Sequence, residues 1–325
     1  MQRKKYLITG GCGFIGRNLI SKLIEVGTQP QDVVVIDNFS VGTPSNLQGI
    51  APTTLDSSDI ENSMLIIEAD IRDAAAMTRH IKNVDYVIHL AACTGVLPAM
   101  KDPVFDCITN INGTLNVLEA CRYSGVKRFV FASSGAPLGV VEPPIHENLP
   151  GKPMSPYGAS KLAGEGYCSA YYHGYGLETV ALRFGGAYGP YSSHKSSVVA
   201  AFISHALKGL PLPLEGGGSA TRDFIYTEDI AEAIIRACKV DGIGGELFQI
   251  SSGSELSIAE LTEKLLDIFI ETGIRNVTVL DIVARDVDIA RSYSDTSKSS
   301  NVLGWTTRFS LDDGLNKTLK WFMEQ

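Results

Sequence analysis

Thr9-Gly10-Gly11-Cys12-Gly13-Phe14-Ile15-Gly16 joins a short apolar run to an amphipathic stretch that begins at Phe14. Its glycines fit a dinucleotide-binding spacing in two ways, as Gly10/Gly13/Gly16 or as Gly11/Gly13/Gly16. Glycine permits a tight turn and lets backbone N–H groups approach a pyrophosphate. The N-terminus of the following helix adds about half a positive charge. The pattern therefore predicts a strand, a phosphate-binding turn and a helix in succession.

A carboxylate ends the next predicted strand. The β-branched run at 33–36 leads into Asp37, which lies 21 residues after Gly16. A carboxylate at this position can accept hydrogen bonds from both ribose hydroxyls and would repel a 2′-phosphate. A structural glycine turn followed by an unrelated surface Asp would not explain this spacing. The sequence therefore predicts NAD, rather than NADP, as the cofactor.

Further apolar runs repeat the same form along the chain. They lie at 65–69, 86–90, 129–132, 179–183 and 246–251. Continuous apolar runs separated by helices are typical of parallel strands covered on both faces. We predict an α/β fold with a Rossmann-type doubly wound parallel sheet and a smaller, mostly C-terminal α/β substrate lobe. The expected division is an NAD-binding domain at 1–184, completed by about 223–252, and a substrate-binding lobe at 185–222 and 253–325.

The composition disfavours several classes of protein. The 325 residues are 44% apolar and 20% charged, and the net charge of −8 disfavours a general nucleic-acid binder. The six cysteines are scattered without a CxxC pair, which disfavours a disulfide framework or a zinc site. No run approaches the roughly 18 apolar residues of a membrane span. We expect a cytoplasmic protein that binds neither membrane nor metal.

Three tyrosine–lysine pairs have the spacing that places two side chains on one helix face. They are Tyr123/Lys127, Tyr157/Lys161 and Tyr191/Lys195. The first pair spans Gly125, where a helix should end, and the third lies in a Ser-rich loop. Only the second pair opens a credible helix, after a Ser-Pro start signal at 155–156, and it follows a strand that ends at Ser134.

The Tyr157/Lys161 pair is suited to base catalysis. A tyrosine has an ordinary pKa near 10 and is a poor base at neutral pH. An ammonium at about 5 Å contributes on the order of 3 kcal/mol at an effective dielectric of roughly 20, enough to lower the pKa by about two units. We therefore expect Lys161 and an oxidised nicotinamide to favour the Tyr157 phenolate. That phenolate would take a hydroxyl proton while hydride leaves the same carbon, with Ser134 sharing a hydrogen bond to the hydroxyl.

The motifs run through most of the chain. They are 9–16, Asp37-Asn38-Phe39-Ser40, Asp70-Ile71-Arg72-Asp73, Ser133-Ser134, Tyr157 with Lys161, Thr221-Arg222-Asp223-Phe224-Ile225-Tyr226, and Leu303-Gly304-Trp305. Together they resemble the extended short-chain dehydrogenase/reductase family, in its nucleotide-sugar epimerase/dehydratase branch. The resemblance implies a Rossmann fold, NAD, a nucleotide-sugar substrate and a homodimer that pairs through helices near 112–123 and 157–172. The apolar faces of these helices are equally compatible with packing inside one chain.

The resemblance also implies roles for particular residues. Ser134, Tyr157 and Lys161 match the catalytic positions. The cofactor-binding positions are Gly10, Gly13, Phe14, Ile15, Gly16, Asp37, Asn38, Phe39, Ser40, Gly42, Asp70, Ile71, Leu90, Ala91, Ala92, Thr94, Thr109, Ser133, Tyr157 and Lys161. The substrate-binding positions are Ser134, Gly186, Lys195, Val198, Arg222, Arg285 and Ser292.

The residues after Ser134 indicate the reaction. Dehydratases of this branch carry Asp-Glu there, whereas this chain has Gly135 and Ala136, which cannot move a proton. Reversible oxidation at C4 remains, and the chain looks closest to UDP-glucose 4-epimerase-like members. The expected substrate is a UDP-hexose, UDP-N-acetylhexosamine or UDP-hexuronic acid. Alternatives are a 4-keto reductase, decarboxylase or dehydratase on the same scaffold, or a non-catalytic NAD-binding regulator.

Several positions keep two interpretations. Asp73 either caps a helix or joins Asp70 near the adenine, while His89 is better explained as a core residue than as a catalyst. Arg222 and Arg285 either hold the diphosphate or make surface ion pairs. Lys195 either binds a uronate carboxylate or is a solvated loop residue. Ser292 stands where the family often has a bulky Tyr, which indicates a roomier pocket.

Overall fold

The computed structural model describes residues 4–58, 60–283 and 289–325. The strands, β1 to β14 in chain order, are Tyr6–Thr9, Val33–Asp37, Thr53–Thr54, Met64–Glu68, Tyr86–His89, Arg128–Ser134, Thr179–Phe184, Gly186–Tyr188, Leu212–Glu215, Thr221–Arg222, Phe224–Tyr226, Glu246–Ile250, Leu256–Ser257 and Val279–Ile282. The helices, α1 to α12, are Phe14–Glu25, Ser45–Gln48, Ala74–His80, Val96–Lys101, Pro103–Cys107, Gly113–Ser124, Pro156–Tyr175, Val198–Leu207, Thr227–Lys239, Ile258–Glu271, Ser297–Asn301 and Leu311–Met323. A π-helical segment, Ile108–Asn112, connects α5 to α6.

The main sheet has eight strands in the order β12-β7-β6-β5-β1-β2-β4-β3. Its pairings are all parallel, and β1 lies between β2 and β5, with Leu7 opposite both Val34 and Val87. The strand order runs outward in opposite directions from β1 and β5, which creates a crevice at the carboxyl ends of these two strands. The predicted doubly wound Rossmann-type sheet is confirmed.

Both faces of the sheet are covered, which explains why its strands are continuously apolar. Side chains alternate along a strand, so Leu7 and Ile8 belong to two different cores. The core around Ile8 is closed by α1 and α9, and the core around Leu7 is closed by α3, α6 and α7. The resulting helix–sheet–helix sandwich holds the carboxyl edge of the sheet in a fixed geometry.

A third core is built from later segments of the chain. Phe202 of α8, Leu265 of α10 and Leu319 of α12 are buried together in it. Helix α10 begins with a reciprocal capping box between Ser257 and Glu260. Strand β14 pairs in parallel with β9, whose Leu212 is buried in this core. The domain boundaries stay a prediction. Across the described ranges, none of the helices is both long and apolar enough to cross a membrane.

Candidate active site

The predicted cofactor residues lie on segments that follow neighbouring parallel strands. The segments are 10–16 after β1, 37–42 at the end of β2, 70–71 after β4 and 90–94 after β5. Since β4, β2, β1, β5 and β6 are adjacent and parallel, their carboxyl ends meet at one edge of the sheet. Thr109 lies in the π-helical segment, and Ser133 ends β6 together with Ser134. Tyr157 and Lys161 lie on α7.

The glycine turn settles which of the two spacings applies. Gly10 has a φ of +69°, and a Cβ there would come within 2.8 Å of the Ala91 backbone nitrogen. Gly13 is the N-cap of α1, and a Cβ on Gly16 would come within 2.6 Å of Gly11 Cα. The turn, helix cap and close helix approach are therefore made by Gly10, Gly13 and Gly16, while Gly11 serves packing.

Asp37 is held rigidly beside this turn. Its carboxylate accepts hydrogen bonds from the backbone N–H of Cys12 at 3.0 Å and of Phe39 at 2.9 Å. Burial raises the pKa of Asp37 above its ordinary value, and the backbone hydrogen bonds partly oppose this. Gly42 packs so closely on Cys12 that any side chain would overlap its carbonyl oxygen. The carboxylate is thus fixed at the end of β2, where the sequence places the ribose contact.

The two aspartates of the motif after β4, Asp70 and Asp73, have different roles. Arg72 donates to both oxygens of Asp70, at 2.9 and 2.7 Å, and Asn38 Nδ2 donates to the same carboxylate at 2.9 Å. Hydrogen bonds from Arg72 hold the pKa of Asp70 well below its ordinary value. Asp73 accepts from the Ala76 N–H at 3.0 Å and is the N-cap of α3. The helix-cap interpretation of Asp73 is confirmed, and a contact of Asp70 with adenine stays a prediction.

His89 is a core residue, as expected. Its ring nitrogens hydrogen-bond Thr9 Oγ1 at 2.8 Å and Thr114 Oγ1 at 3.0 Å. Full burial, aided by the positive charge of Lys161, lowers the pKa of His89 to about 3. The imidazole is therefore neutral at physiological pH and joins β1, β5 and α6.

The sequence interpretation missed Asn110, the buried centre of a hydrogen-bond network. Its side-chain oxygen accepts from the Cys93 N–H at 2.8 Å, and its Nδ2 donates to the Cys93 carbonyl at 2.9 Å. Nδ2 also lies 2.8 Å from Asp106 Oδ1 and 3.2 Å from Ser160 Oγ. Asn110 thus ties the segment after β5 to the helix that carries Tyr157. The only sequence signal was an asparagine within a helical segment, which by itself indicates little.

Two features at the carboxyl edge of the main sheet fit the predicted NAD. The N-cap of α1 makes no side-chain capping hydrogen bond and its first turn contains no acidic residue, so the helix leaves its N–H groups and positive end for an anion. The Thr109 Oγ1 atom is buried without a hydrogen-bond partner among the described residues. A polar ligand beside the π-helical segment would satisfy this hydroxyl.

The predicted catalytic residues converge where β6 ends and α7 begins. Ser155 caps α7 by accepting from the Gly158 N–H at 3.1 Å, which places Tyr157 in the first turn. The Ser134 hydroxyl lies close enough to the Tyr157 phenol to lower its pKa by side-chain hydrogen bonding. Lys161 Nζ donates to the Ala132 carbonyl at 2.8 Å and lies 5.9 Å from the centroid of the Tyr157 ring.

The local structure separates the Tyr157/Lys161 pair from the other two pairs, as predicted. Gly125 ends α6 in a left-handed conformation between Tyr123 and Lys127, so these two residues do not share a helix. Tyr191 lies in a loop with a φ of +68°. Of the three pairs, only Tyr157 and Lys161 lie on one helix.

The expected lowering of the Tyr157 pKa is wrong when only the protein's own groups act on the phenol. Burial raises the pKa of the phenol to about 12, although the hydrogen bond from Ser134 lowers it in part. Burial likewise lowers the pKa of the Lys161 ammonium to about 8. Removal of the phenol from water disfavours the charged phenolate and is the largest influence on this pKa.

Ser133 faces a buried ion pair. Its hydroxyl donates to Glu165 Oε1 at 2.5 Å. Glu165 in turn accepts two hydrogen bonds from Arg183, at 2.7 and 2.6 Å, and both side chains are almost fully buried. The hydroxyl of Ser133 is thus engaged within the protein. The Glu165–Arg183 pair, which sequence reasoning missed, joins α7 to β7 near the predicted catalytic residues.

Apart from Ser134, the described residues predicted to bind substrate lie on later segments. Gly186 begins β8, Val198 begins α8, and Lys195 reaches Thr94 Oγ1 at 3.2 Å. Arg222 donates to the carbonyls of Thr221 and Ile289, both at 2.7 Å, and the Ser292 N–H donates to Thr221 Oγ1 at 3.3 Å. Arg285 lies outside the described residues.

Gly135 faces open space directly after Ser134. A Cβ built on this residue would meet no heavy atom within 4 Å. The position therefore has room for an acidic side chain, yet the sequence supplies glycine here and alanine at 136. The hydroxyl–phenol–ammonium set is complete, whereas an acid adjacent to Ser134 is missing.

A model of the NAD dependent epimerase/dehydratase family matches residues 6–251. The chain belongs to this family. It is thus an enzyme of the NAD-dependent epimerase/dehydratase family, and the predicted NAD cofactor is confirmed. Among the described residues, no group of three or more His, Cys, Asp or Glu is arranged to hold a metal ion.

Individual relatives include both epimerases and dehydratases. UDP-glucose 4-epimerase of Mycolicibacterium smegmatis is 33% identical over 322 residues, which cover 97% of each chain. dTDP-glucose 4,6-dehydratase of Streptomyces antibioticus is 30% identical over 326 residues, covering 98% of this chain and 92% of the relative. The structure of UDP-N-acetylglucosamine 4-epimerase from Methanobrevibacter ruminantium, in complex with UDP-N-acetylmuramic acid, superposes with a TM-score of 0.88 at 31% identity and covers all of both chains. Family membership therefore establishes the scaffold and leaves the choice between the two reactions to the residues beside Ser134.

Proposed function

We propose that the protein is an NAD-dependent 4-epimerase of UDP-sugars, acting on a UDP-hexose, UDP-N-acetylhexosamine or UDP-hexuronic acid. The observation that carries the proposal is the hydroxyl–phenol–ammonium set of Ser134, Tyr157 and Lys161 beside an open position without an acid at Gly135. This set can move one proton at a carbinol. It lacks the additional acid and base that elimination of water requires.

The cofactor would be held by groups at the carboxyl edge of the sheet. The N–H groups at the start of α1 suit its pyrophosphate, and the fixed carboxylate of Asp37 suits a ribose diol. When bound, NAD supplies the acceptor and donor of hydride for C4 of the sugar.

The protein's own residues would handle the proton. Tyr157 takes the proton of the sugar 4-hydroxyl as the C4–H bond breaks, and it returns that proton when the 4-keto group is reduced. Ser134 hydrogen-bonds the same oxygen and the phenol, which keeps them in register. Lys161 stabilises the phenolate through its charge while its Nζ is held by the Ala132 carbonyl at 2.8 Å. Return of the hydrogen to the opposite face of C4 inverts that carbon.

The test is incubation of the purified protein with matched pairs of UDP-sugars that differ only at C4. Proton NMR should show that at least one pair interconverts without consumption of added NADH and without loss of CO₂. Tyr157→Phe should lower kcat by at least ~100-fold while leaving the melting temperature close to that of the parent. Tyr123→Phe, which changes a tyrosine on the exposed end of α6, is the matched control.

Other products would overturn the proposal. A 4-keto-6-deoxy sugar would indicate a dehydratase, released CO₂ a decarboxylase, and stoichiometric use of NADH a reductase. If Tyr157→Phe keeps turnover within a few-fold of the parent, the catalytic assignment is wrong and a regulatory NAD-binding role gains support.

The remaining expectations form part of the proposal. We propose a cytoplasmic homodimer that pairs through α6 and α7, with a cofactor domain and a substrate lobe divided as the sequence predicts. Helices α4 and α5 pack against α7, and their exposed apolar residues extend the proposed pairing surface; these residues are Val96, Leu97, Met100, Val104 and Phe105, followed by Ile108 of the π-helical segment. Sedimentation velocity would measure the oligomeric state directly.

A further inference from the structure

Lys195 lies on the loop between β8 and α8 and reaches the segment after β5. Its Nζ donates to Thr94 Oγ1 at 3.2 Å. Thr94 directly follows Cys93, which lies close enough to Tyr157 to influence the phenol electrostatically. A residue contributed by the later part of the chain therefore contacts the segment whose Cys93 acts on the catalytic phenol.

The ammonium of Lys195 has no carboxylate partner in the described part of the chain. Lysines elsewhere, such as Lys127 and Lys298, make ion pairs at 2.6 Å. Lys195 is half-buried, and burial lowers its pKa without any acidic neighbour to raise it. A partly desolvated cation without a counter-charge is unfavourable, so this site is suited to an anion supplied by a ligand.

The surroundings of Lys195 are also positively charged. Burial lowers the pKa of His194, and the positive charges of Lys195 and Arg17 lower it further. The Arg17 guanidinium lies 3.9 Å from the centroid of the Tyr191 ring, and its Nε is buried without a hydrogen-bond partner among the described residues. A cationic patch in a protein with a net charge of −8 attracts acidic ligands locally.

The loop that carries Lys195 is fixed at several points. Asn18 Nδ2 donates to the Pro190 carbonyl at 2.9 Å, and Ser192 Oγ donates to the Gly189 carbonyl at 2.7 Å. Tyr191 packs against Trp321 with ring centroids 5.2 Å apart. These contacts limit the positions that the lysine can sample, as selective recognition requires.

We propose that Lys195 binds a carboxylate on the sugar of the substrate, so that the preferred substrate is a UDP-sugar with an acidic sugar ring. This inference rests on the proposed 4-epimerase function. A carboxylate on the sugar has two chemical sources, the C6 carboxylate of a hexuronic acid and the lactyl ether of a muramic acid. In both cases Lys195 would exchange its hydrogen bond with Thr94 for a charge-assisted hydrogen bond to the ligand.

The experiment measures binding and turnover separately on the NAD-loaded protein. Dissociation constants are determined by calorimetry for UDP-glucuronate, UDP-N-acetylmuramate, UDP-N-acetylglucosamine and UDP-glucose, and kcat/KM is measured for each that reacts. We expect one of the two acidic ligands to bind at least ~10-fold more tightly than its neutral counterpart. Lys195→Gln should remove that preference with less than about a twofold effect on the neutral ligands, and Lys195→Arg should retain it. Lys208→Gln removes an equal charge from the exposed end of α8 and is the matched control.

Each outcome is decisive. Equal binding of acidic and neutral sugars by the parent protein would overturn the proposal. So would a Lys195→Gln variant that weakens all four ligands equally, because that result would assign the lysine to the shared diphosphate. Acid-selective binding without inversion at C4 would support the role of Lys195 and refute the proposed function. Inversion of neutral sugars alone would support the function and refute the role of Lys195.

Discussion

Lys161 Nζ lies 5.9 Å from the centre of the Tyr157 ring and is held there by the carbonyl of Ala132. This arrangement puts a positive charge one helical turn from the phenol. Burial nevertheless raises the pKa of Tyr157 to about 12, so the protein groups alone leave the phenol protonated at neutral pH. A further positive charge must therefore act on this phenol before it can serve as a base.

Binding of NAD⁺ should accordingly lower the pKa of Tyr157. A unit positive charge at about 5 Å lowers a pKa by roughly two units at an effective dielectric near 20. The tyrosinate absorbance of the cofactor-free protein and of the NAD⁺-loaded protein should be titrated in parallel. The loaded protein should show one phenol ionising at lower pH, and Tyr157→Phe should abolish that difference while Tyr123→Phe preserves it. Identical titration curves with and without NAD⁺ would contradict this prediction.

Gly10→Ala should damage both folding and cofactor binding. The positive φ of Gly10 costs about 1–2 kcal/mol for an L-residue, and the added Cβ would lie 2.8 Å from the Ala91 nitrogen. Gly125→Ala shares the positive φ but has open space, so it isolates the backbone term. Gly10→Ala should be less stable to denaturant than Gly125→Ala and should bind NAD more weakly. Gly49→Ala should be nearly neutral in both measurements, because the φ of Gly49 is −76° and its surroundings are open. Equal effects at Gly10 and Gly49 would refute the assigned role.

Glu165→Gln should be strongly destabilising. It would leave the buried Arg183 guanidinium without its counter-charge, at a cost of about 3–5 kcal/mol. The Lys22–Glu25 pair, in which the Glu25 carboxylate is exposed, provides a control, since Glu25→Gln should cost less than about 1 kcal/mol. Urea unfolding measures both variants. Replacing both Glu165 and Arg183 by apolar residues of similar size should recover part of the loss, and a Glu165→Gln variant as stable as Glu25→Gln would show that the pair does not fix α7.

The neutral His89 should make stability fall in mild acid. Its pKa is lowered from 6.5 to about 3. Between pH 6.5 and pH 3 the residue is therefore protonated in the unfolded chain but neutral in the folded protein. Its contribution to stability is therefore fully present above pH 6.5 and is lost as the pH falls toward 3. At pH 5 the loss from this residue should reach about 2 kcal/mol. Proton NMR of the labelled imidazole should show His89 still neutral at that pH, whereas a protonated ring in the folded state would contradict the prediction.

Much of the fold could be predicted because its signals are local. The run of β-branched residues in Val33–Asp37 and the glycine turn before Phe14 each determine a βα unit from a few neighbouring residues. The choice of Tyr157/Lys161 over the two other pairs also depended only on local helix signals. The same reasoning identified Asp73 as ambiguous, and the hydrogen bond to Ala76 resolves it.

The missed features depend on contacts that are distant in sequence. Asn110 bonds across 17 residues to Cys93 and across 50 residues to Ser160. Glu165 bonds across 18 residues to Arg183. The raised pKa of Tyr157 arises mainly from burial of the phenol, which cannot be predicted from the spacing of residues in the sequence. Such terms become visible only once the chain is folded.

The most direct test of the central claim follows the hydrogen on C4. A UDP-sugar that the protein interconverts is prepared with deuterium at that carbon and incubated to equilibrium with added unlabelled NAD⁺. The account predicts that the deuterium stays on C4 of the inverted sugar, because oxidation and reduction occur in one pocket around Tyr157. Deuterium appearing in the added coenzyme, or replaced at C4 by hydrogen from water, would contradict it.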